Sequence, residues 1–425
     1  MKSDMQSSHE RRKPRAAHPT LAPAVTLLLA SITGLGVATL YYAQPMLPGI
    51  GADLHLAGVS IGLLPMFTQI GYALGILLLA PLGDRFDRRR IILAKAAVLV
   101  LALLVCATAH TLPVLLAGSL FIGLSATLAQ DTVSVAATLA PEARRGRVIG
   151  TVMTGLLLGI LLSRVVSGVV TDTLGWRAMF LVASASIALV IAAVWRGLSP
   201  IATTTTMSYG RLLGSLVTLW NSHRSLRRAA VAQGLLSVGF SAFWSLLALR
   251  LHDGPLHLGS SAAGAFGLAG AAGALIAPIA GGIADRRGPA LLTRLGAGLS
   301  LVSFALMALA QLFHPWVELT LMSVAVIGFD LGVQSALISH QSIVYSLVPA
   351  ARSRLNAILI TVMFVGMAIG SGLGSLVYSH WGWTGVTLLG TASAALALGV
   401  RLLEPSGAPV RKQDADGARL ATDAV

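Results

Sequence analysis

Long apolar runs recur along the whole chain, and short polar stretches separate them. The runs are close to the roughly 20 residues that a helix needs to cross the hydrocarbon core of a bilayer. Helices are the expected form, because a helix satisfies its backbone polar groups within the segment itself. The pattern predicts twelve membrane spans, at 22–46, 58–82, 91–110, 113–140, 148–172, 178–196, 229–251, 260–283, 290–312, 316–345, 355–378 and 384–403.

The longest polar connection divides these spans into two groups of six. The predicted organisation is a tail at 1–21, a six-helix bundle at 22–196, a linker at 197–228, a second bundle at 229–403 and a tail at 404–425. Within the linker, leucines between Leu212 and Leu219 recur at helical spacing beside Trp220, opposite Arg211 and Arg224. This spacing predicts a helix on the membrane surface. A partly ordered linker with chance periodicity is the alternative.

Composition excludes an ordinary soluble protein. The chain has 425 residues, of which 55% are hydrophobic and 11% charged, whereas soluble domains carry about 25% charged residues. A disordered chain is excluded by the same values, since disorder requires few apolar residues and much charge. The single cysteine, Cys106, lies in an apolar run and allows no intramolecular disulfide.

The net charge of +14 would suggest nucleic acid as a partner in a soluble protein. Here 27 of the 30 lysines and arginines lie in the two tails, in connections on their side of the predicted membrane or, like Lys95 beside the loop before the third span, at the adjoining ends of spans. The positive-inside rule therefore predicts a multi-pass membrane protein with both termini in the cytoplasm. No nucleic-acid partner is expected.

Short motifs recur between the two halves at offsets of about two hundred residues, as expected of diverged copies. The repeated pairs are Asp84-Arg85 and Asp285-Arg286, Tyr41-Tyr42 and Phe243-Trp244, and Gly175-Trp176 and Gly382-Trp383. Parallel repeats of six helices are typical of one class of secondary transporters, whose substrate site lies between the repeats near the membrane midplane.

The two Asp-Arg loops resemble the loop signature of the major facilitator superfamily, in which glycines flank Asp-Arg and basic residues follow. The second copy matches fully, whereas the first has Ala80 and Asp87 where the signature has glycine. More narrowly, three segments resemble the bacterial branch described as arabinose-efflux-permease-like. These segments are Tyr41 to Pro45, Asp330 to Gln334 and Ala351 to Asn356.

The resemblance implies an all-α membrane protein with twelve transmembrane helices in two pseudo-symmetric six-helix bundles. It also implies that the loops act as gates whose contacts break as the bundles rock. Plain orientation charge is the alternative. The gating-loop candidates are Asp84, Arg85, Arg88, Arg89, Gly281, Asp285, Arg286 and Gly288.

Three charged residues fall well inside predicted spans, away from their ends: Asp131, Arg164 and Asp330. A charge at the bilayer centre costs about 2.5 to 3.5 kcal/mol, which makes each a functional candidate. Carboxylates in such positions can exchange protons as their hydration changes, so Asp131 and Asp330 are the proton-coupling candidates. Permanent pairing of either carboxylate is the alternative.

Arg164 departs from the family, because it stands where the fifth-span antiporter pattern has proline. Ser119 likewise stands where drug antiporters of the superfamily have an arginine. Arg164 either binds an anionic substrate group or pairs with a carboxylate.

The substrate-cavity candidates come from spans that line the central cavity in this family. They are Tyr41, Tyr42, Gln130, Arg164, Gln233, Trp244 and Gln334. For the tyrosines and Trp244, anchoring at the membrane interface is the alternative, since Tyr and Trp are enriched there.

The sequence lacks a phosphate-binding loop of the G-x-x-x-x-G-K-[ST] type and clusters of His and Cys at metal-ligand spacing. No ATP-driven pumping, metal, cofactor or enzymatic activity is therefore expected. The favoured function is a proton-coupled exporter of small organic molecules, acting as a monomer with substrate, protons and membrane lipid as partners. The alternatives are a proton-coupled importer, with Arg164 holding an anionic group, and a non-transporting membrane sensor.

Overall fold

The computed structural model describes residues 23–56, 58–201, 208–275, 282 and 286–403. The two predicted tails lie outside these ranges. Large apolar side chains such as Leu189 and Val302 are exposed on the outer surface of the described helices. An apolar exterior of this kind suits contact with lipid.

The first six spans form one bundle. Their helices are Pro23–Ala38 and Ala43–Asp53 (first span), Val59–Leu74 (second), Arg88–Ala107 (third), Leu112–Ala126 and Leu128–Leu139 (fourth), Arg145–Leu174 (fifth) and Trp176–Gly197 (sixth). The second span continues as a π-helical turn at Gly75–Leu79, and the short helix Leu82–Arg85 follows it. The predicted end of the first span, residue 46, is wrong: the span turns at 39–42 and continues to Asp53.

The other six spans form the second bundle. Their helices are Arg224–Asp253 (seventh span), Ser260–Leu275 (eighth, as far as described), Pro289–Ala310 (ninth), Pro315–Leu347 (tenth) and Arg352–Leu402 (eleventh and twelfth). The last of these is two spans, because Gly382 breaks it with a φ of 59°. The expected fold class is thus confirmed: an all-α membrane protein with twelve spans in two pseudo-symmetric six-helix bundles.

Two backbone turns with positive φ recur at equivalent positions in the two bundles. Gly175 and Gly382, which separate the last two spans of each bundle, both have positive φ, at 83° and 59°. His55 and His257 follow the first span of each bundle and also have positive φ, at 52° and 44°. Few side chains other than those of Asn, Asp and His are tolerated in this region. The same backbone turns therefore occur at matching places in both halves.

Close helix crossings stabilise each bundle. A Cβ atom added to Gly159 of the fifth span would lie 2.2 Å from the carbonyl oxygen of Gly34 in the first. The equivalent crossing in the second bundle brings Gly366 of the eleventh span against Gly234 of the seventh, at 2.1 Å. Only glycine allows this approach, which brings many backbone atoms into van der Waals contact.

The helix predicted in the linker is present at Tyr209–Ser222. Its expected place on a lipid surface is wrong, because Leu212, Leu216 and Leu219 are buried within the protein. Leu216 and Leu219 pack in one cluster with Leu226 of the seventh span and Leu355 of the eleventh. The ends of these spans offer an apolar surface, and the helix covers it.

We call the side of the molecule with the loop between the second and third spans the basic face, and the other side the opposite face. Between the centre and the basic face, the ring of Tyr72 of the second span packs against that of Phe364 of the eleventh, with centroids 4.3 Å apart and an angle of 38° between the rings. Towards the opposite face, Ser371 Oγ donates to the Gly62 carbonyl at 2.9 Å. The bundles therefore touch on both sides of the centre.

Candidate functional site

Arg164 lies at the centre of the molecule, in the fifth span. It is only 4% exposed, and its Nε donates to Gln44 Oε1 at 2.9 Å. Its guanidinium lies over the rings of Tyr41 and Trp244, with the Cζ atom 4.8 and 4.1 Å from their centroids. The first, fifth and seventh spans thus meet around one cation, and aromatic faces stabilise it.

The aromatic candidates are not interface anchors. Tyr41, Tyr42 and Trp244 are all buried. The first span extends to Asp53, so both tyrosines lie in its middle. The interfacial alternative is therefore wrong for these three residues.

Asp330 faces this cluster from the tenth span. It is 5% exposed and interacts electrostatically with Arg164. The two residues nevertheless form no direct ion pair, and Asp330 Oδ1 has no hydrogen-bond partner. A cation in one bundle and an anion in the other are therefore buried near each other without direct contact.

Several polar atoms around this centre lack hydrogen-bond partners. They are Gln44 Nε2, Arg164 Nη2 and Asp330 Oδ1, and the Trp244 side chain interacts with the Asp330 carboxylate. Buried polar groups are almost always paired, so each exception needs an explanation. We refer to Gln44, Arg164, Trp244 and Asp330 as the central polar cluster.

Glycines of the eighth span bring its backbone against both charged residues. A Cβ atom on Gly264 would lie 2.6 Å from the Arg164 carbonyl oxygen, and one on Gly270 would lie 2.5 Å from Asp330 Oδ2. The backbone of the eighth span therefore lies closer to the central polar cluster than it could if these positions carried larger residues.

We expect Gly270→Ala to displace the Asp330 carboxylate while leaving the fold intact, because the atom in the way is the end of a side chain. Transport should slow by about tenfold, the equivalent of about 1.4 kcal/mol, with an unchanged unfolding midpoint. Initial transport rates and thermal unfolding of the purified protein measure both effects. Gly298→Ala is the matched control, because nothing lies within 4 Å of its added Cβ. Equal rates for both variants would contradict the expectation.

Asp131, the other carboxylate candidate, has a buried counter-ion. Lys95 Nζ lies 2.6 Å from Asp131 Oδ2, and both side chains are buried. Lys95 is therefore wrongly grouped with the basic residues of the preceding loop, because it lies inside the third span. The structure of Asp131 therefore agrees with the alternative to proton coupling, in which the carboxylate is paired with a cation.

A cavity of about 80 Å³ lies beside this ion pair near the basic face. Asp131 and Arg88 line it from the first bundle, and Ser353 and Asn356 line it from the eleventh span. Arg88 is buried and its Nε donates to the Gly83 carbonyl at 2.9 Å. The cavity thus lies between the bundles, next to the loop that resembles the family signature.

The remaining cavity candidates are spread over both bundles. Gln130 Nε2 donates to Tyr72 Oη at 3.3 Å. Gln233 Oε1 lies 2.9 Å from His340 Nδ1, and both side chains are buried. Gln334 is half-buried, one helical turn from Asp330. Gln130 and Gln233 thus have their hydrogen-bond partners outside the central polar cluster.

The gating-loop candidates are only partly described. Gly281 and Asp285 lie outside the described residues, and of Asp84 only the backbone is described, within Leu82–Arg85. The other members have separate surroundings. Arg85 contacts the Phe86 ring, Arg89 Nη2 donates to the Trp195 carbonyl at 2.6 Å, Arg286 is exposed, and Gly288 precedes the ninth span with a φ of 85°.

Asp172 joins the bundles at the opposite face, a contact that the sequence analysis did not predict. Its two carboxylate oxygens accept the backbone N–H groups of Ser260 and Ser261 at 3.1 and 2.7 Å. These groups begin the eighth span, so a carboxylate of one bundle caps a helix of the other.

On the same face, the first and seventh spans border a cleft of about 530 Å³, and Leu246 is one of the residues that line it.

We expect Asp172→Ala to make the centre more accessible from the opposite face. Loss of a helix cap costs about 1 kcal/mol, which is about fivefold in an equilibrium. The rate at which an impermeant maleimide modifies Gln44→Cys, in a Cys106→Ser background, measures this change. Asp53→Ala is the control, because Asp53 pairs with Arg177 within one bundle. Equal rates in both variants would show that the cap does not hold the bundles together.

Comparisons with known proteins agree with this architecture. Residues 26–339 match the family model described as Major Facilitator Superfamily. The uncharacterized transporter YgaY of Escherichia coli O157:H7 is 40% identical over 378 residues, covering 89% of this chain and 95% of the relative. A probable transporter of Streptomyces coelicolor, SCO4007, is 31% identical, covering 92% and 89%. The solved structure of the nucleoside transporter NupG has a TM-score of 0.75 at 14% identity, covering 89% and 99%.

Proposed function

Since the chain belongs to the major facilitator superfamily and is a multi-pass membrane transporter rather than an enzyme, we propose that it is a proton-coupled exporter of small organic molecules. The two bundles rock about the central polar cluster, which is open to one side of the membrane at a time. Both bundles are present in one chain, which makes the monomer sufficient for this cycle.

One observation carries the proposal: Asp330 and Arg164 lie in different bundles, buried and without a direct ion pair. The charge of Asp330 therefore affects how favourably the bundles close over the centre. A proton on Asp330 removes a buried negative charge, whereas a substrate can compensate it. Because proton and substrate act on the same carboxylate, their movements become coupled.

Asp330 is a better coupling residue than Asp131. Asp131 already has a buried counter-ion in Lys95, and a proton on Asp131 would leave that ammonium buried without its partner. We assign Asp131 to the cavity beside the basic face, where the signature loop meets the eleventh span. Its contribution there is to closing that face.

The positions of the basic residues support an inner-membrane protein with cytoplasmic termini. In this orientation the basic face is cytoplasmic, and the bundles extend over 22–196 and 229–403. Resemblance to the arabinose-efflux-permease-like branch favours export. The candidate gating residues then act at the cytoplasmic face, and lipid surrounds the apolar exterior.

Inside-out vesicles with an acidic lumen test this function. Sugars, amino acids, organic acids and hydrophobic cations are added while a luminal dye reports pH. An exporter releases protons from the lumen as substrate enters it, and vesicles from cells without the protein give no such signal. Substrate accumulation without proton movement would contradict coupling. Protons moving in the same direction as substrate would instead favour import with an anionic group on Arg164.

A further inference from the structure

The central polar cluster holds two opposite charges that do not satisfy each other. Arg164 Nε has Gln44 as its partner, whereas Arg164 Nη2 has none. The rings of Tyr41 and Trp244 attract the positive charge but offer this N–H no lone pair. On the other side, Asp330 Oδ1 is also without a donor. A ligand that complements the cluster therefore needs both an acceptor and a donor.

The two donors near Arg164 favour a carboxylate. Arg164 Nη2 and Gln44 Nε2 belong to side chains joined by one hydrogen bond, and both atoms are unpartnered. A carboxylate has enough lone pairs to accept from both, and charge-assisted bonds of this kind are the stronger ones. An uncharged acceptor would leave the buried cation without a counter-charge.

The carboxylate of Asp330 favours an ammonium group on the same ligand. Asp330 has no direct cationic partner among the described side chains, and an ammonium supplies both charge and N–H donors. A simple anion would satisfy Arg164 alone, and a simple cation would satisfy Asp330 alone. Either would leave one buried charge uncompensated, which is costly.

We infer that the central polar cluster binds a small zwitterion, with its carboxylate on Arg164 and Gln44 and its ammonium on Asp330. This inference rests on the proposed transport function and names its substrate class. The ligand joins the two bundles, because Arg164 belongs to the first and Asp330 to the second. The rings of Tyr41 and Trp244 beside Arg164 provide an apolar wall for its carbon atoms.

Close packing around the cluster limits the size of this zwitterion. Gly264 and Gly270 bring the eighth span against Arg164 and Asp330, and the packed rings of Tyr72 and Phe364 lie towards the basic face. Short amino acids fit this setting better than peptides with large side chains. The ammonium also competes with a proton for Asp330, which is the competition that an antiporter requires.

Calorimetric titration of the full chain in nanodiscs tests the inference. The probes are glycine, 3-aminopropanoate, 4-aminobutanoate and leucine, with butanoate and butylamine as singly charged counterparts. We expect at least one zwitterion to bind about tenfold tighter than either counterpart. Equal binding by a singly charged probe, or no binding by any of the zwitterions, would overturn the inference.

Two substitutions separate the contacts. Arg164→Gln and Asp330→Asn should each weaken zwitterion binding by about tenfold, while Arg177→Gln, which breaks a partly exposed ion pair within the first bundle, leaves it unchanged. If Arg164→Gln does not fold, Gln44→Glu tests the same contact, because it keeps an acceptor for Arg164 Nε and repels a carboxylate. Unchanged affinity in Gln44→Glu and Asp330→Asn would overturn the inference.

The two proposals fail differently. A zwitterion that binds but moves no protons in the vesicles would refute proton coupling and leave the substrate class intact. Proton exchange driven by a compound without both charges would refute the substrate class and leave the transport function intact.

Discussion

Asp330→Asn is expected to abolish proton-coupled transport while substrate exchange persists at saturating concentration. Asparagine fills the same space but cannot take up a proton, so binding of substrate no longer displaces one. The substrate-induced pH change in inside-out vesicles should fall by at least about tenfold, or about 1.4 kcal/mol of coupling. Exchange of labelled for unlabelled substrate across proteoliposomes measures the activity that remains.

The matched control removes the other buried carboxylate together with its counter-ion. Lys95→Met with Asp131→Asn leaves Asp330 untouched, so the pH change should be retained. Asp330→Glu keeps a titratable group and should restore part of the signal. A pH change that persists in Asp330→Asn but disappears in the control would mean that Asp131, and not Asp330, is the proton-coupling residue.

Breaking the Lys95–Asp131 pair is expected to cause the largest loss of stability. Asp131→Asn leaves the Lys95 ammonium buried without the carboxylate that lies 2.6 Å away. Removing one partner of a buried ion pair costs about 3–5 kcal/mol. Lys95→Met should cost less, because Arg88 lines the same cavity as Asp131. The double variant should recover much of the loss, since it leaves neither charge buried.

Denaturant unfolding of the four proteins in detergent provides this double-mutant cycle. Arg177→Gln is the control for loss of an exposed pair, because Asp53 and Arg177 are both partly exposed to solvent. Its unfolding free energy should change far less than that of Asp131→Asn. Additive losses in the Lys95 and Asp131 variants would mean that the two side chains do not stabilise each other.

Hydropathy predicted the spans well because each membrane span must be a continuous apolar run, and such a run is visible directly in the sequence. Charges within apolar runs also singled out Arg164 and Asp330 as candidates, and both are buried in the structure. Lys95 was misassigned although it lies inside a predicted span. It follows the basic run Arg88 to Arg90 closely in sequence, and a hydropathy profile does not show which helix face a side chain occupies.

Contacts between spans that are far apart in the chain could not be predicted from the sequence. Gln44 belongs to a recognised motif, but its partner Arg164 is 120 residues away and no spacing rule connects them. The tyrosines were ambiguous because the predicted first span ended too early and placed them near its end. The cap formed by Asp172 depends on how the two bundles dock, and a single sequence carries no direct signal for this.

The glycine crossings of the two bundles determine where the halves can diverge. Gly34 with Gly159 and Gly234 with Gly366 bring backbone against backbone. A duplicated half can therefore exchange its lipid-facing and cavity residues freely, provided that these few positions stay small. Substrate preference can then change by substitution around the centre without altering either bundle, so the mechanical and chemical parts of the transporter can evolve separately.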